Sequence, residues 1–233
     1  MPSSIAAPFS ILDARPGPPT GLKIELMSPR ILTLDSSSPT VSVAVGTPGE
    51  VWASDTIPQG PPSRLLIRMI HDVLARTDLK LGDLDGLVGV RGPGSFTGIR
   101  VGLATLMGIH QSLGIPATAV STFRALAAAE SEHDGPRLAA VSATRAEWLT
   151  QAFDGDQPSQ PLGEPARIEA SELSQQGVDT VVGFNLPEEL ADELQIVTPT
   201  NLATTVLTRL ATHLEWESGK LAEAIYLASP VRQ

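Results

Sequence analysis

The sequence predicts a mixed α/β protein of two lobes. Three observations carry that. Residues 30–56 read as a run of short strands separated by turns. An amphipathic helix, a buried-looking strand, a glycine turn and a second helix follow. Beyond a polar break, "SEHDGPR" (131–137), the order loosely repeats. A chain of 233 residues with 42% apolar and 18% charged residues is long enough and apolar enough to bury a core in each lobe.

Each element has its own signal. In "RILTLDSSSPTVSVAVGTPGEVWASDT", strands are expected at 31–34, 41–45 and 50–54, joined by turns at Asp35–Pro39 and Thr47-Pro48-Gly49. "SRLLIRMIHDVLARTDL" (63–79) places Leu65, Leu66, Met69, Ile70, Val73 and Leu74 at helical spacing, with Ser63 as its cap. Next come a strand at 84–90, a glycine turn, and a helix to about Ser112. A strand at 115–120 leads into a short helix at 121–130, capped by Ser121 or Thr122. In the second lobe strands are expected at 138–142, 147–153, 165–168 and 179–183, with a loop at 154–165. "TNLATTVLTRLATHLEW" (200–216) reads as one long amphipathic helix beginning at Thr200 or Asn201. No short-period repeat is visible.

Composition narrows the function. The net charge is −10, and a protein that grips nucleic acid alone shows a basic face, because phosphate contacts dominate that affinity. Arg64 and Arg68, four apart, and Arg91 and Arg100, flanking the glycine turn, are the candidates for a local patch; ordinary solvated arginines are the simpler reading. The absence of cysteine excludes disulfides, thiolate metal sites and a cysteine nucleophile. No run reaches the ~18 apolar residues of a membrane span. Residues 1–29, with five prolines after Pro2 and no secretory pattern, read as a flexible extension or a misassigned start.

Two stretches bear on chemistry. In "VGVRGPGSFTGIRVG" (88–102), Gly92 and Gly94 let the backbone approach an anion, and Ser95 or Thr97 can cap the helix or donate to a phosphate. Gly94, Gly98 and Gly102 are spaced four apart, as on one helix face. Each helical glycine costs about 0.5–1 kcal/mol relative to alanine, so close approach of another backbone is expected there, within the fold or from a partner. In "LTLDSSS", Asp35 and Ser36 at a strand end can meet a metal-bound phosphate; the alternative is an Asx-type turn closed by its own side chains. His71, His110, His133 and His213 form no pair at metal-ligand spacing, and Gly-x-Ser-x-Gly is absent. No catalytic residue and no metal site is assigned.

Together "ILTLDSSSPTVSVAV", "LDGLVGVRGPGSFTGIRVGLATLMGI" and "IPATAVSTFRALA" strongly resemble the TsaB family, bacterial dimerisation proteins of threonylcarbamoyladenosine biosynthesis. The resemblance covers about residues 30–130. It implies an actin/Hsp70-type fold, two ribonuclease H-like lobes of the actin-like ATPase superfamily. Residues 30–132 would form the lobe with the dimerisation helices. Residues 133–233 would form the other, its last helix packing back on the first. It implies a cytoplasmic pseudoenzyme that pairs with a TsaD-like catalytic subunit and a TsaE-like ATPase. That assembly moves threonylcarbamoyl from threonylcarbamoyl-AMP to the adenosine beside the tRNA anticodon, and tRNA is met only through the complex.

The family's pairing helices match residues 63–77 and 96–112. Leu65, Leu66, Met69, Gly98, Gly102, Met107 and His110 are therefore interface candidates, and an arginine at Gly98 is expected to break pairing without unfolding the monomer. No cofactor is required; ATP or ADP with Mg²⁺ would be at most a weak ligand of Asp35, Ser36, Gly92, Gly94, Ser95 and Thr97. The rival readings are an ATP-dependent enzyme of the actin/sugar-kinase type, and a homodimer formed through the same helices. The sequence departs from the family pattern in "PQGPPSR", at Ser142 and Thr144 of the second-lobe hairpin, and at Tyr226-Leu227-Ala228.

Overall fold

The computed structural model describes residues 28–58, 62–129, 135–155 and 160–224, without the side chains of 62–64. Residues 1–27, His133, most of the polar break, the Arg64 side chain and the Tyr226-Leu227-Ala228 run lie outside them.

The central strand β1 (Ile31–Asp35) pairs antiparallel with β2 (Thr40–Thr47), which pairs antiparallel with β3 (Glu50–Pro58). On its other side β1 pairs parallel with β4 (Gly86–Val90), and β4 with β5 (Ala117–Val120). The order is β3-β2-β1-β4-β5. The second sheet uses β6 (Arg137–Ser142), β7 (Glu147–Phe153), β8 (Ala166–Glu169), β9 (Thr180–Gly183) and β10 (Gln195–Val197) in the order β10-β9-β6-β7-β8. Three antiparallel strands followed by two parallel ones recur in both sheets. The lobes are topological duplicates, which the loosely repeating order of elements in the sequence anticipates.

Side-chain alternation sorts the core into layers. Leu32, Leu34, Val41, Val43, Val45 and Leu87 face the helices α1 (Pro62–Ala75) and α2 (Phe96–Leu113). Ile31, Ala44, Val88 and Val90 face the other way, into a core shared with Ala139, Leu149 and Val182 of the second sheet. Two short helices bind the lobes together through that shared core. Helix α3 (Thr122–Ala127) packs on β6, β7 and β9, and α4 (Leu202–Thr205) packs on β1 and β2. The α4 end is stitched down by the Thr33 hydroxyl, which donates to the Ala203 carbonyl at 2.8 Å. The Ala203 N–H in turn donates to the Ser42 hydroxyl at 3.1 Å.

Several elements differ from the expectation. The segment 200–216 is not one α-helix: Asn201 caps a single α turn, the chain widens into a π-helical stretch at Val206–Leu210, and a 3-10 turn ends at His213. Helix α1 begins at Pro62, so Ser63 lies in its first turn and is not its cap. β3 extends to Pro58, and β10, only three residues long, carried too little pattern to be found. The exposed edge of β3 is blunted locally. Arg76 donates to the Ser54 carbonyl at 2.9 Å, the Thr56 N–H donates to its neighbour Asp55 at 3.0 Å, and Pro58 has no N–H.

Candidate functional site

The glycine turn sits where β4 ends and α2 begins, beside the β1–β2 turn. Gly92 (φ +95°) and Gly94 (φ +153°) hold backbone conformations that side chains disfavour. The Gly92 carbonyl accepts the Thr122 N–H at 2.8 Å and so satisfies the start of α3. Ser95 caps α2, its hydroxyl accepting the Gly98 N–H at 3.2 Å, while Thr97 is exposed on the first helical turn.

The cradle made by this turn is filled by the chain itself. The Ser95 N–H, a natural phosphate donor at a helix start, donates to the Ser37 carbonyl at 2.7 Å. A Cβ added at Gly94 would meet the Ser37 carbonyl oxygen at 2.2 Å, and one at Gly98 the Ser36 carbonyl oxygen at 1.8 Å. At Gly102 it would meet the Ser36 hydroxyl at 2.3 Å. Ser36 also donates that hydroxyl to the Gly98 carbonyl at 2.8 Å. The glycines therefore admit the β1–β2 turn. Gly94 lies before the helix, and only Gly98 and Gly102 share its face.

Asp35 is closed in the same way. It is fully buried, and its Oδ1 accepts the Ser37 N–H at 2.8 Å and the Ser37 hydroxyl at 2.6 Å, while Oδ2 accepts the Ser38 hydroxyl. Burial pushes its carboxyl up from the ordinary value, and the serine bonds pull it partly back. This is the Asx-type turn. A metal reaching Asp35 would have to displace both serines. The cleft between the lobes, lined by Ser37, Ser38, Gly94, Ser95, Thr122 and Asn185 among others, holds about 130 Å³. Small-molecule sites usually hold ~300–1,000 Å³. These residues do not fit the phosphates of a nucleotide.

The interface candidates need a correction of face. Leu66 and Met69 are buried in the core between α1 and the sheet, and Gly98 and Gly102 are buried against Ser36. Leu65 and Met107 are half-buried, and half-buried His110 shares a 2.8 Å hydrogen bond between Nδ1 and the Ile115 carbonyl. An arginine at Gly98 would disrupt the monomer as well as any complex. The outward face consists of Ile67 (61% exposed), Arg68 and His71 on α1, with Phe96 (53%), Arg100, Ala104 and Gly108 on α2. The Arg100 guanidinium stacks on Phe96, 3.8 Å from the ring centroid. Ile67 had a signal in the sequence: it falls outside the apolar stripe Leu66-Met69-Ile70-Val73-Leu74, where a buried role would not place it. A groove of about 400 Å³ opens below it, floored by Ile70, Leu74, Leu79 and Ile109, with His71 and Lys80 at the rim. Among the described residues no group of acidic residues and histidines has the arrangement of a metal site. Among them, too, no helix is long and apolar enough to cross a membrane.

The second-lobe hairpin closes its turn with the hydroxyls of Ser142 and Thr144. Ser142 donates its hydroxyl to the Thr144 carbonyl at 2.9 Å, and the Thr144 hydroxyl accepts the N–H groups of Ala146 (3.3 Å) and Glu147 (3.1 Å).

Duplicated 3-2-1-4-5 sheets sharing a core, with a glycine turn at the cleft, define a protein of the actin-like ATPase fold class. A family model described as "TsaD: tRNA N6-adenosine threonylcarbamoyltransferase" matches residues 62–205. The chain belongs to that family, and within it to the TsaB proteins. It is 30% identical over 130 residues to the "tRNA threonylcarbamoyladenosine biosynthesis protein TsaB" of Escherichia coli, covering 55% of this chain and 56% of the relative. With the Haemophilus influenzae protein of the same name it is 35% identical over 102 residues, 44% and 43% of the two chains. The chain thus spans about half the length of these curated relatives. Among solved structures, "YeaZ from Pseudomonas aeruginosa" matches with a TM-score of 0.56 at 28% identity, covering 63% of this chain and 69% of that one. A second solved structure, "an uncharacterized protein with similarity to peptidase YEAZ from Pseudomonas aeruginosa", matches with a TM-score of 0.62 at 26% identity, covering 78% and 89%.

Proposed function

We propose that the chain is a non-catalytic activating subunit of tRNA threonylcarbamoyladenosine biosynthesis. It pairs through the outward face of α1 and α2 with a TsaD-type transferase subunit, and the pair works with a TsaE-type ATPase. The observation that carries this reading is the filled cradle: Ser37 occupies the anion position at Gly94 and Ser95, and both Asp35 oxygens are bonded by serines. Conserving the shape of a nucleotide cleft while closing it suits a subunit that acts by contact. Exposed Ile67 and Phe96 on adjacent helices supply apolar area for such a contact. The names of the TsaB relatives support the pathway.

In this reading the transferase chemistry and most of the tRNA contact belong to the partner. No nucleotide is needed here, and ATP or ADP with Mg²⁺ is at most a weak ligand. The decisive experiment is tRNA threonylcarbamoylation by the cognate transferase, ATPase and threonylcarbamoyl-AMP synthase, with and without this protein. Dependence of product on the protein is expected. Full modification in its absence would overturn the proposal. Micromolar ATP affinity, with turnover lost in Asp35→Ala, would favour the kinase-like reading.

A further inference from the structure

The groove of about 400 Å³ beside α1 has an apolar body and a charged rim. Ile70 and Leu74, buried in the helix-side core, form its floor. Exposed Ile67 and half-buried Leu79, Leu81 and Ile109 wall it. The volume falls at the lower end of the ~300–1,000 Å³ of small-molecule sites. From Ile67 to Ala75 the helix runs about 12 Å, which an extended alkyl chain of medium length spans.

The rim gives the groove its sign. Lys80 and His71 are the ionisable side chains that line it. The acids beside them are engaged elsewhere. Asp72 pairs with Arg68 at 3.5 Å and with the His71 ring at 3.2 Å. Asp83 Oδ2 accepts the Lys80 backbone N–H at 2.8 Å, which also closes the start of the 3-10 turn Leu81–Asp83 to an anion. Lys80 is exposed, and among the described residues no carboxylate lies at ion-pair distance from its ammonium. The other described lysine, Lys220, is held by Glu215 and Glu217.

We propose that this groove binds a free medium-chain carboxylate, with the alkyl chain over Ile70 and Leu74 and the carboxylate on Lys80. A phosphate head is usually held by an arginine fork or an open helix start, and neither lines the groove. An anionic bilayer is met by a cluster of lysines and arginines, whereas this rim offers a single lysine. Ile67 belongs to the groove and also to the outward face of α1. Resting on the pairing reading above, an occupied groove competes with the transferase subunit for Ile67, so the carboxylate restrains pairing.

The test is a calorimetric titration of the full chain alone with decanoate, below its micelle-forming concentration. Saturable one-to-one binding is expected. Octanoate, with a shorter tail, should bind at least about fourfold more weakly, since each methylene buried in the groove adds roughly that factor. Decylammonium, with the same tail and the opposite charge, should bind at least about tenfold more weakly than decanoate, and Lys80→Glu should reverse that order. Ala75→Trp, at an exposed position that lines the groove, should abolish binding while the melting temperature holds. No saturable binding of decanoate below about 1 mM would overturn the proposal. So would equal binding of the two charges, or a decanoate affinity unchanged in Ala75→Trp. These titrations contain no transferase subunit, so the site can fail while the pairing reading stands, and the reverse.

Discussion

The two lobes share a strand order and differ in what fills the connections. After β3 and β4 the first lobe places α1, of 14 residues, and α2, of 18. After β8 and β9 the second lobe places only 3-10 turns, Ala170–Gln175 and Glu188–Asp192. The corner turns differ too. Asp35–Ser38 is buried under the glycine face of α2, whereas the equivalent hairpin around Thr144 is open to solvent. Charge follows the same division. Residues 30–129 carry eight Lys and Arg against seven Asp and Glu, a formal +1; residues 130–233 carry six against seventeen, a formal −11. The difference teaches that a shared sheet topology does not assign function. Helix length, a buried corner and near-neutral charge suit the first lobe to make contact. The formal −11 of the second lobe disfavours contact with nucleic-acid phosphates, which need a basic face.

The largest expected effect breaks the buried corner. Gly98→Ala would drive a methyl into the Ser36 carbonyl, and backbone cannot step aside as a side-chain end can. A loss of about 3 kcal/mol, the upper part of the usual overpacking range, is expected by urea unfolding. Gly108, on the same helix, has open space at its Cβ position. Gly108→Ala should instead stabilise the protein by about 0.5–1 kcal/mol through helix propensity. Equal effects at the two positions would remove the claim that this corner locks α2.

The next test sharpens the division by charging the outward face alone. Ile67→Asp changes a side chain that is mostly in solvent, so the melting temperature should hold. Affinity for the transferase subunit should fall tenfold or more, about 1.4 kcal/mol, measured by titration calorimetry. Charging exposed Leu162 on the second lobe should leave affinity unchanged. If both variants bind equally well, the first lobe's helices are not the pairing surface.

Much of this division was legible in the sequence, and its limits have physical causes. The strands of the first lobe, α1, α2 and the Ser95 and Ser121 caps follow from period and from hydroxyl chemistry at helix starts. The cost of glycine in a helix pointed to close approach at Gly98 and Gly102. The approaching group, the Ser36 carbonyl at Gly98 and the Ser36 hydroxyl at Gly102, lies 62 residues before Gly98 in sequence and leaves no local mark. Phosphate binding was a reasonable expectation for Gly92–Thr97 because a turn that admits a carbonyl oxygen and one that admits a phosphate oxygen need the same glycines. The interface set differs in another way. Leu66 and Met69 follow from matching the family's pairing helices to 63–77 and 96–112, yet on an amphipathic helix the apolar stripe is the core, where both are buried, while Ile67 lies off that stripe and is exposed. The π-helical widening at Val206–Leu210 has no signature in apolar spacing.

The remaining pair of predictions compares the equivalent corners directly. Asp35 ionises at an ordinary pH in the unfolded chain and at a higher one in the fold, because burial opposes its charge. Between those two values the folded state holds a proton that the unfolded state has released. The Asp35 contribution to stability therefore falls as pH rises through that window, and is level above it. The stability difference between the parent and Asp35→Asn, followed by urea unfolding as pH rises from the acid range, should move in the variant's favour. A difference independent of pH would mean the corner is wetter than its burial indicates. At the second corner the smallest effect is expected. Thr144→Ala removes an acceptor from two N–H groups that water can reach, so the cost should stay within about 0.5 kcal/mol and show no pH dependence. If Thr144→Ala proved as costly as a change at Asp35, the second corner would be holding structure of its own. The contrast between a locked lobe and an open one would then fail at the place where the two are topologically the same.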